Sequence, residues 1–255
     1  MISRTQFELC VRYNAPVSDC RRVLRVLPLR REGQRILSEK WKSLPDLAEA
    51  SEKLDANGNR RLFLRHRRIE TEFLFGMELE VETIGAAIAE TAPDFAPWKM
   101  PSRAVVFVPE LQNLAREFKA SPPLERAAEL NSLCQQKLEY DATQAAPPRC
   151  DAVWEKKRGN CADFSHVLLS LCRCSGLPAR YVAGFNPTEG QMHAWVEVWS
   201  EGHWHGFDAT LGRGITPGSI PVAVGRDFYD CAPHTGTFRG GGDASISVFC
   251  RTTII

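Results

Sequence analysis

The stretch Arg158-Gly159-Asn160-Cys161-Ala162-Asp163-Phe164-Ser165-His166-Val167-Leu168-Leu169 decides how this chain is read. Gly159 and Asn160 mark a turn. Beyond them Phe164, Val167, Leu168 and Leu171 recur at the i, i+3, i+4, i+7 spacing of an amphipathic helix, and Gly176 and Pro178 end it. Cys161 therefore stands at, or one residue before, the start of a helix. There the unpaired backbone N–H groups and the positive end of the dipole favour an anion. A thiol in such a place can ionise below its ordinary range, and the thiolate is the nucleophile. The competing reading makes Cys161 a small buried hydrophobe, as many free cysteines are. Cys172 and Cys174, late on the same helix, fit that second description. A zinc site built from Cys172, Cys174, His203 and His205 fails on spacing, because C-x-C and H-x-H match none of the common zinc patterns.

Downstream, Tyr181 to Phe185 reads as a short apolar strand and Asn186 to Gly190 as a loop. Met192 to Trp199 then alternates by period two. His193, Trp195, Glu197 and Trp199 share one face; Ala194, Val196 and Val198 share the other. Glu201-Gly202 is a turn, and His203 to Asp208 is the return strand. A tight turn there sets opposite one another residues whose numbers sum to about 401 to 403, and His193 with Asp208 falls inside that range. An imidazole oriented by a carboxylate across a hairpin is the base half of a thiol or hydroxyl triad. The helix carrying Cys161 is expected to pack on this sheet and aim its N-terminus at His193. His203 and His205 read as ordinary surface or core residues.

Upstream, residues 1–95 read as mainly β. Phe7, Leu9, Val11 and Tyr13 alternate, Asn57-Gly58-Asn59 signals a hairpin, and Phe73, Phe75 and Leu79 or Val81 are the inward residues of a later strand. Pro93, Pro97, Pro101 and Pro109 suggest a linker. A helical pattern follows Pro122-Pro123 through Leu124, Ala127, Ala128, Leu130, Leu133 and Leu138, and Ala145-Ala146-Pro147-Pro148 breaks the chain again. The division expected is an N-terminal β-rich domain over 1–95 and a catalytic domain over 96–255.

With 255 residues, 44% hydrophobic and 25% charged, the chain has the composition of a soluble globular protein. A net charge of +1 gives no global field towards nucleic acid or membrane. The basic runs Arg21-Arg22 and Arg65-His66-Arg67-Arg68 read as solvated faces. The N-terminus lacks an apolar signal region, and no apolar run approaches the roughly 20 residues of a membrane span, so a cytoplasmic location is expected. Nine cysteines, an odd number, do not form a disulfide framework in a chain of this size. No calcium loop of the EF-hand type occurs, and neither a metal nor another cofactor is expected.

Four segments together resemble the core of the transglutaminase-like superfamily: Gly159-Asn160-Cys161-Ala162-Asp163-Phe164, Gly176-Leu177-Pro178-Ala179-Arg180-Tyr181-Val182, His193-Ala194-Trp195-Val196-Glu197-Val198 and Phe207-Asp208-Ala209-Thr210. They run in the family's order over residues 159–210. The bacterial, cysteine-peptidase branch is resembled more loosely by Asn57 to Arg60, Val224 to Asp230 and Arg239 to Gly242. The resemblance implies an α+β class: a papain-like catalytic core preceded by a small β-sandwich-like domain. It implies Cys161 as nucleophile, His193 as base and then acid, and Asp208 as orienter of the imidazole. The oxyanion would meet the Cys161 backbone N–H and a second donor upstream, Tyr140 or Trp154, of which Tyr140 is preferred. Asn160, Trp195 and Trp204 are cleft candidates, although the tryptophans fit the core of the sheet better.

Two features depart from the family pattern. Ala209-Thr210-Leu211-Gly212 follows Asp208 where proline and asparagine are usual, and the chain is short for the branch. The reaction implied is hydrolysis of a peptide, protein or small amide or ester substrate through an acyl-enzyme. The alternatives are transfer to an amine acceptor, as in a transglutaminase or biosynthetic amide-forming enzyme, and a non-catalytic binding module on the same scaffold. A homodimer is left open.

Overall fold

The structure is a computed structural model that describes residues 1–85, 87–89, 92–142, 149–187, 192–240 and 242–255. The alternation near the N-terminus produces β1 (Ile2–Tyr13), with Phe7, Leu9, Val11 and Tyr13 turned inward and buried. Then follow β2 (Val17–Leu24), β3 (Gln34–Leu44), β4 (Glu49–Leu54), β5 (Arg60–Ile69) and β6 (Glu72–Thr83). The Asn57-Gly58-Asn59 signal closes the β4–β5 hairpin, with Gly58 at φ 77° and its N–H donating to the Asp55 carbonyl at 3.0 Å. In β6 the inward residues include Phe73, Phe75, Leu79 and Val81, with Met77 between them.

These strands form two four-stranded sheets, ordered β16-β1-β6-β3 and β15-β2-β5-β4. One edge of each is supplied from the other end of the chain, by β15 (His234–Arg239) and β16 (Ala244–Ile254). The division at 95/96 is thus crossed by the fold: the C-terminal strands assigned by sequence to the catalytic part complete the N-terminal sandwich. It is crossed the other way by β7 (Ala87–Ala89), which pairs with His203–His205 of the second unit. A local pattern cannot show such returns, because strand pairing between distant segments leaves no mark on either segment alone.

The Pro-rich stretch is not a plain linker. Pro97 falls in the first turn of α1 (Ala96–Lys99), Pro109 opens α2 (Pro109–Glu117), and Pro123 opens α3 (Pro123–Lys137). The first turn is where a missing N–H costs nothing. The 145–148 break and residues 188–190 of the following loop lie outside the described residues. After α3 come β8 (Glu139–Tyr140), α4 (Cys150–Lys156), β9 (Arg158–Gly159) and α5 (Cys161–Cys174). A six-stranded sheet is then laid down by β10 (Ala179–Phe185), β11 (Met192–Ser200), β12 (His203–Asp208), β13 (Arg213–Gly214) and β14 (Ile220–Gly225), with β7 on its margin. The short α6 (Phe228–Cys231) follows.

Helix α5 is the pillar of this unit. Its Phe164, Val167, Leu168 and Leu171 are buried in one core with Ala194, Val196 and Val198 of β11 and with Tyr181 and Ala183 of β10. The opposite face of the sheet carries Val182 of β10, Trp195 of β11 and Val224 of β14, packed with Leu29 from the segment between β2 and β3. That second face is the seam with the sandwich. Glu197, 2% exposed, ties it down by accepting from Arg180 of its own sheet at 2.7 Å and from Arg31 of the sandwich at 2.9 Å. Burial opposes the charge on Glu197, but the two guanidiniums hold its carboxyl below the usual range.

One charge assignment changes. Arg22 turns inward and is 4% exposed, with its guanidinium 4.2 Å from the Phe73 ring centroid, and His66 is fully buried. The basic runs are therefore only partly solvated. Among the described residues no helix is long and apolar enough to cross a membrane.

Candidate active site

The turn before α5 is built by close packing and reciprocal capping. Asn160 is the N-cap: its side-chain oxygen accepts from the N–H groups of Ala162 and Asp163 at 3.0 and 3.2 Å, and Asp163 reaches back to the Asn160 N–H at 2.9 Å. Gly159 is required there, because a methyl group on it would lie 2.5 Å from Asp163 Cβ. Burial raises the Asp163 carboxyl to about 6 against the opposing hydrogen bond from Asn160. The cap consumes the N–H groups of Ala162 and Asp163. Cys161 is the first residue of the helix and is half-buried. Asn160, a cleft candidate by sequence, is placed as the device that fixes this turn.

Across from it, His193 and Asp208 meet. His193 Nε2 lies 2.8 Å from Asp208 Oδ2, both residues being buried. The hairpin register pairs Val196 with Phe207 and Glu197 with Gly206, the upper end of the range expected. His193 and Asp208 are accordingly diagonal neighbours on one strand face, a separation long polar side chains bridge. Cys161 lies near enough to His193 to act on its charge. With Nε2 turned to the carboxylate, Nδ1 is the ring nitrogen left for the thiol. Burial works against a charged imidazole here, but the Asp208 hydrogen bond and the influence of Asp208 and Cys161 on its charge outweigh it and carry the His193 pKa up to about 10. Asp208 shows the reciprocal effect: burial would raise it, yet the His193 contact and the Thr210 donors hold it below its usual value.

The sequence reading missed what steadies Asp208. Its Oδ1 accepts from Thr210 Oγ1 at 2.6 Å, from Thr210 N at 3.0 Å and from Leu211 N at 3.4 Å. The loop closes with Gly212, at φ 64°, donating to the Asp208 carbonyl at 2.9 Å. The signal was present as Asp-x-Thr, a side-chain-to-backbone turn. The departure at 209–212 thus leaves the carboxylate held from behind.

Of the two upstream donor candidates, Tyr140 lies on the strand beside the Cys161 turn. Tyr140 in β8 runs parallel to β9 and pairs with Gly159, two residues before Cys161. It is 50% exposed, and its ring lies 6.2 Å from that of Phe164. Trp154 is spent elsewhere: its indole N–H donates to Glu110 at 2.7 Å, and Lys157 sits on its ring. The tryptophans of the hairpin separate as well. Trp204 packs against Trp98 and Trp199 and lies under Arg180. Since it pairs with Trp199, it sits about 20 Å from His193 along the strands. Trp195 is 1% exposed, and a methyl group on Gly184 would come within 2.4 Å of its ring. It also lines a cavity of about 320 Å³ at the seam, with Arg31, Gln34, Glu197, Ile215 and Thr216. His203 and His205 bond to backbone carbonyls of Glu201 and Ser200.

Residues 112–209 match the family described as the transglutaminase-like superfamily, and residues 4–82 match the bacterial transglutaminase-like N-terminal region. An uncharacterised protein of Mycobacterium leprae is 38% identical over 106 residues, or 38% of each chain. An uncharacterised protein of Mycobacterium tuberculosis is 26% identical over 161 residues, 54% of this chain and 51% of its own. The match thus spans about half the length or less of these curated relatives. A crystal structure from Cytophaga hutchinsonii, described as a candidate cysteine protease, superposes with a TM-score of 0.84 over 100% of this chain and 91% of its own at 24% identity, a likeness of fold. The chain thus carries a transglutaminase-like core over residues 112–209 and, over residues 4–82, a region like the N-terminal one of the bacterial transglutaminase-like proteins.

Proposed function

We propose that this protein cleaves an amide or peptide bond by thiol acyl transfer, with Cys161 as nucleophile, His193 as proton carrier and Asp208 as its orienter. The observation that supports the reading is a buried imidazole bonded to a buried carboxylate and lying close to a cysteine at a helix N-terminus. An imidazole raised to about 10 holds its proton at neutral pH and stands as the acid beside the attacking Cys161 sulfur. The sulfur attacks the carbonyl carbon, and the oxygen gathers negative charge against the Cys161 N–H, with Tyr140 as the second donor. His193 gives its proton to the departing amine. Water then attacks the thioester, His193 takes its proton, and the acid is released with the thiolate restored. Asp208 stays ionised throughout and keeps the proton-bearing Nε2 fixed.

The test is a library of peptide amides and activated esters, analysed by mass spectrometry with and without a primary amine. Acid products formed by the wild type and not by Cys161→Ser are expected. Amine adducts with no acid would overturn hydrolysis and move the acceptor role to the amine. No acylation of Cys161 by any donor would remove the chemistry altogether and leave a binding module.

A further inference from the structure

The two sheets of the sandwich have four edge strands, and only one is undefended. An edge strand offers a row of free N–H and C=O groups, which proteins guard with charge, shortness or twist. Edge strand β3 carries Arg35, Glu39, Lys40 and Lys42; β4 carries Glu49, Glu52 and Lys53; β15 has six residues. Strand β16 has eleven residues, and Ala244-Ser245-Ile246-Ser247-Val248-Phe249-Cys250 holds no charge at all. Among the described residues it pairs only on its β1 side.

The side chains are as open as the backbone. Cys250 and Thr252 are buried, so the even-numbered residues face the sandwich interior. Ile246 and Val248 belong to that face yet are 57% and 47% exposed, while their partners in β1, Val11 and Leu9, are fully covered. Phe249, on the outer face, is 51% exposed, and Phe238 of β15 adds a partly exposed ring packed edge-on against Tyr13.

We propose that this edge is a homodimer interface, in which β16 pairs antiparallel with β16 of a second copy and joins two sheets into one. The charge pattern supports a second copy as occupant and also fixes the register. With Ser247 opposite itself, Ile246 faces Val248, Ser245 faces Phe249, and Arg251 faces Asp243, each pair occurring twice by symmetry. Ile246 and Val248 of both chains then close one apolar cluster on the inner face. Two Arg251–Asp243 pairs bracket it on the outer face. Centring the pairing on Arg251 would oppose like charges, and centring it on Phe249 would leave Asp243 against Ile255.

The experiment is sedimentation equilibrium of the full chain over micromolar concentrations, for the wild type, Arg251→Asp, Asp243→Arg and the double swap. The wild type is expected to have the mass of two chains. Each single swap should weaken the dimer at least about tenfold by opposing like charges twice, and the double swap should restore it. A monomeric wild type would overturn the proposal. So would a dimer indifferent to the single swaps, or one that the double swap does not recover. Circular dichroism of each variant separates loss of pairing from loss of fold. Because no thiol chemistry enters the readout, the outcome is independent of the function proposed above.

Discussion

Asp208→Asn is expected to slow acylation of Cys161 by about 10⁴-fold with the fold retained. An asparagine in this place keeps its oxygen towards Thr210 and Leu211, whose donors converge on Asp208 Oδ1. It then presents an NH₂ group to His193 Nε2, which must become an acceptor. The proton is driven to Nδ1, the nitrogen facing the thiol, and the imidazole can no longer take a proton there. The same change carries a pH signature. The His193 pKa is raised to about 10, so its contribution to stability is full below the ordinary imidazole value and fades as pH rises through about 10. The Asp208 pKa is lowered, so its contribution is present above the ordinary carboxylate value and is lost as pH falls through the lowered one. Urea unfolding should therefore show the wild type ahead of Asp208→Asn by most near pH 5 to 6 and by little above about pH 10. A stability gap that ignores pH would contradict the ion pair.

Trp195→Ala is expected to cost about 3–5 kcal/mol of stability, the usual range for removing a buried tryptophan. The ring is 1% exposed, packs on Gly184 and Val182, and borders a cavity of about 320 Å³ that its loss would enlarge. Denaturant midpoints of the wild type and variant measure this directly. A variant that unfolds as the wild type does but turns over substrate poorly would instead make Trp195 a wall of the substrate cleft.

How far these features were legible depends on the range of the interaction. The helix at Cys161 is local, and the Gly159-Asn160 turn and the Phe164–Leu171 stripe declare it. The His193–Asp208 pair needed only a hairpin, and the turn at Glu201-Gly202 fixes the register to within one diagonal step. Thr210 was overlooked because its role depends on which way the carboxylate points. The partner that occupies the less favoured candidate Trp154, Glu110, is 44 residues away and leaves no local signal. The return of β15 and β16 to the sandwich, and the inward turn of Arg22, rest on pairings across most of the chain. Composition and periodicity carry no trace of those.

The central claim is that one cysteine among nine is activated by its surroundings. Burial pushes the thiols of Cys134, Cys150, Cys172, Cys231 and Cys250 upward, that of Cys172 to about 12, so none of these competes as a nucleophile. Limiting iodoacetamide at about pH 6, followed by intact-mass analysis and peptide mapping, reads the activation directly. The account predicts one added group on the wild type, at Cys161, and none on Cys161→Ser. Slow labelling scattered over other cysteines, with Cys161 silent, would contradict it.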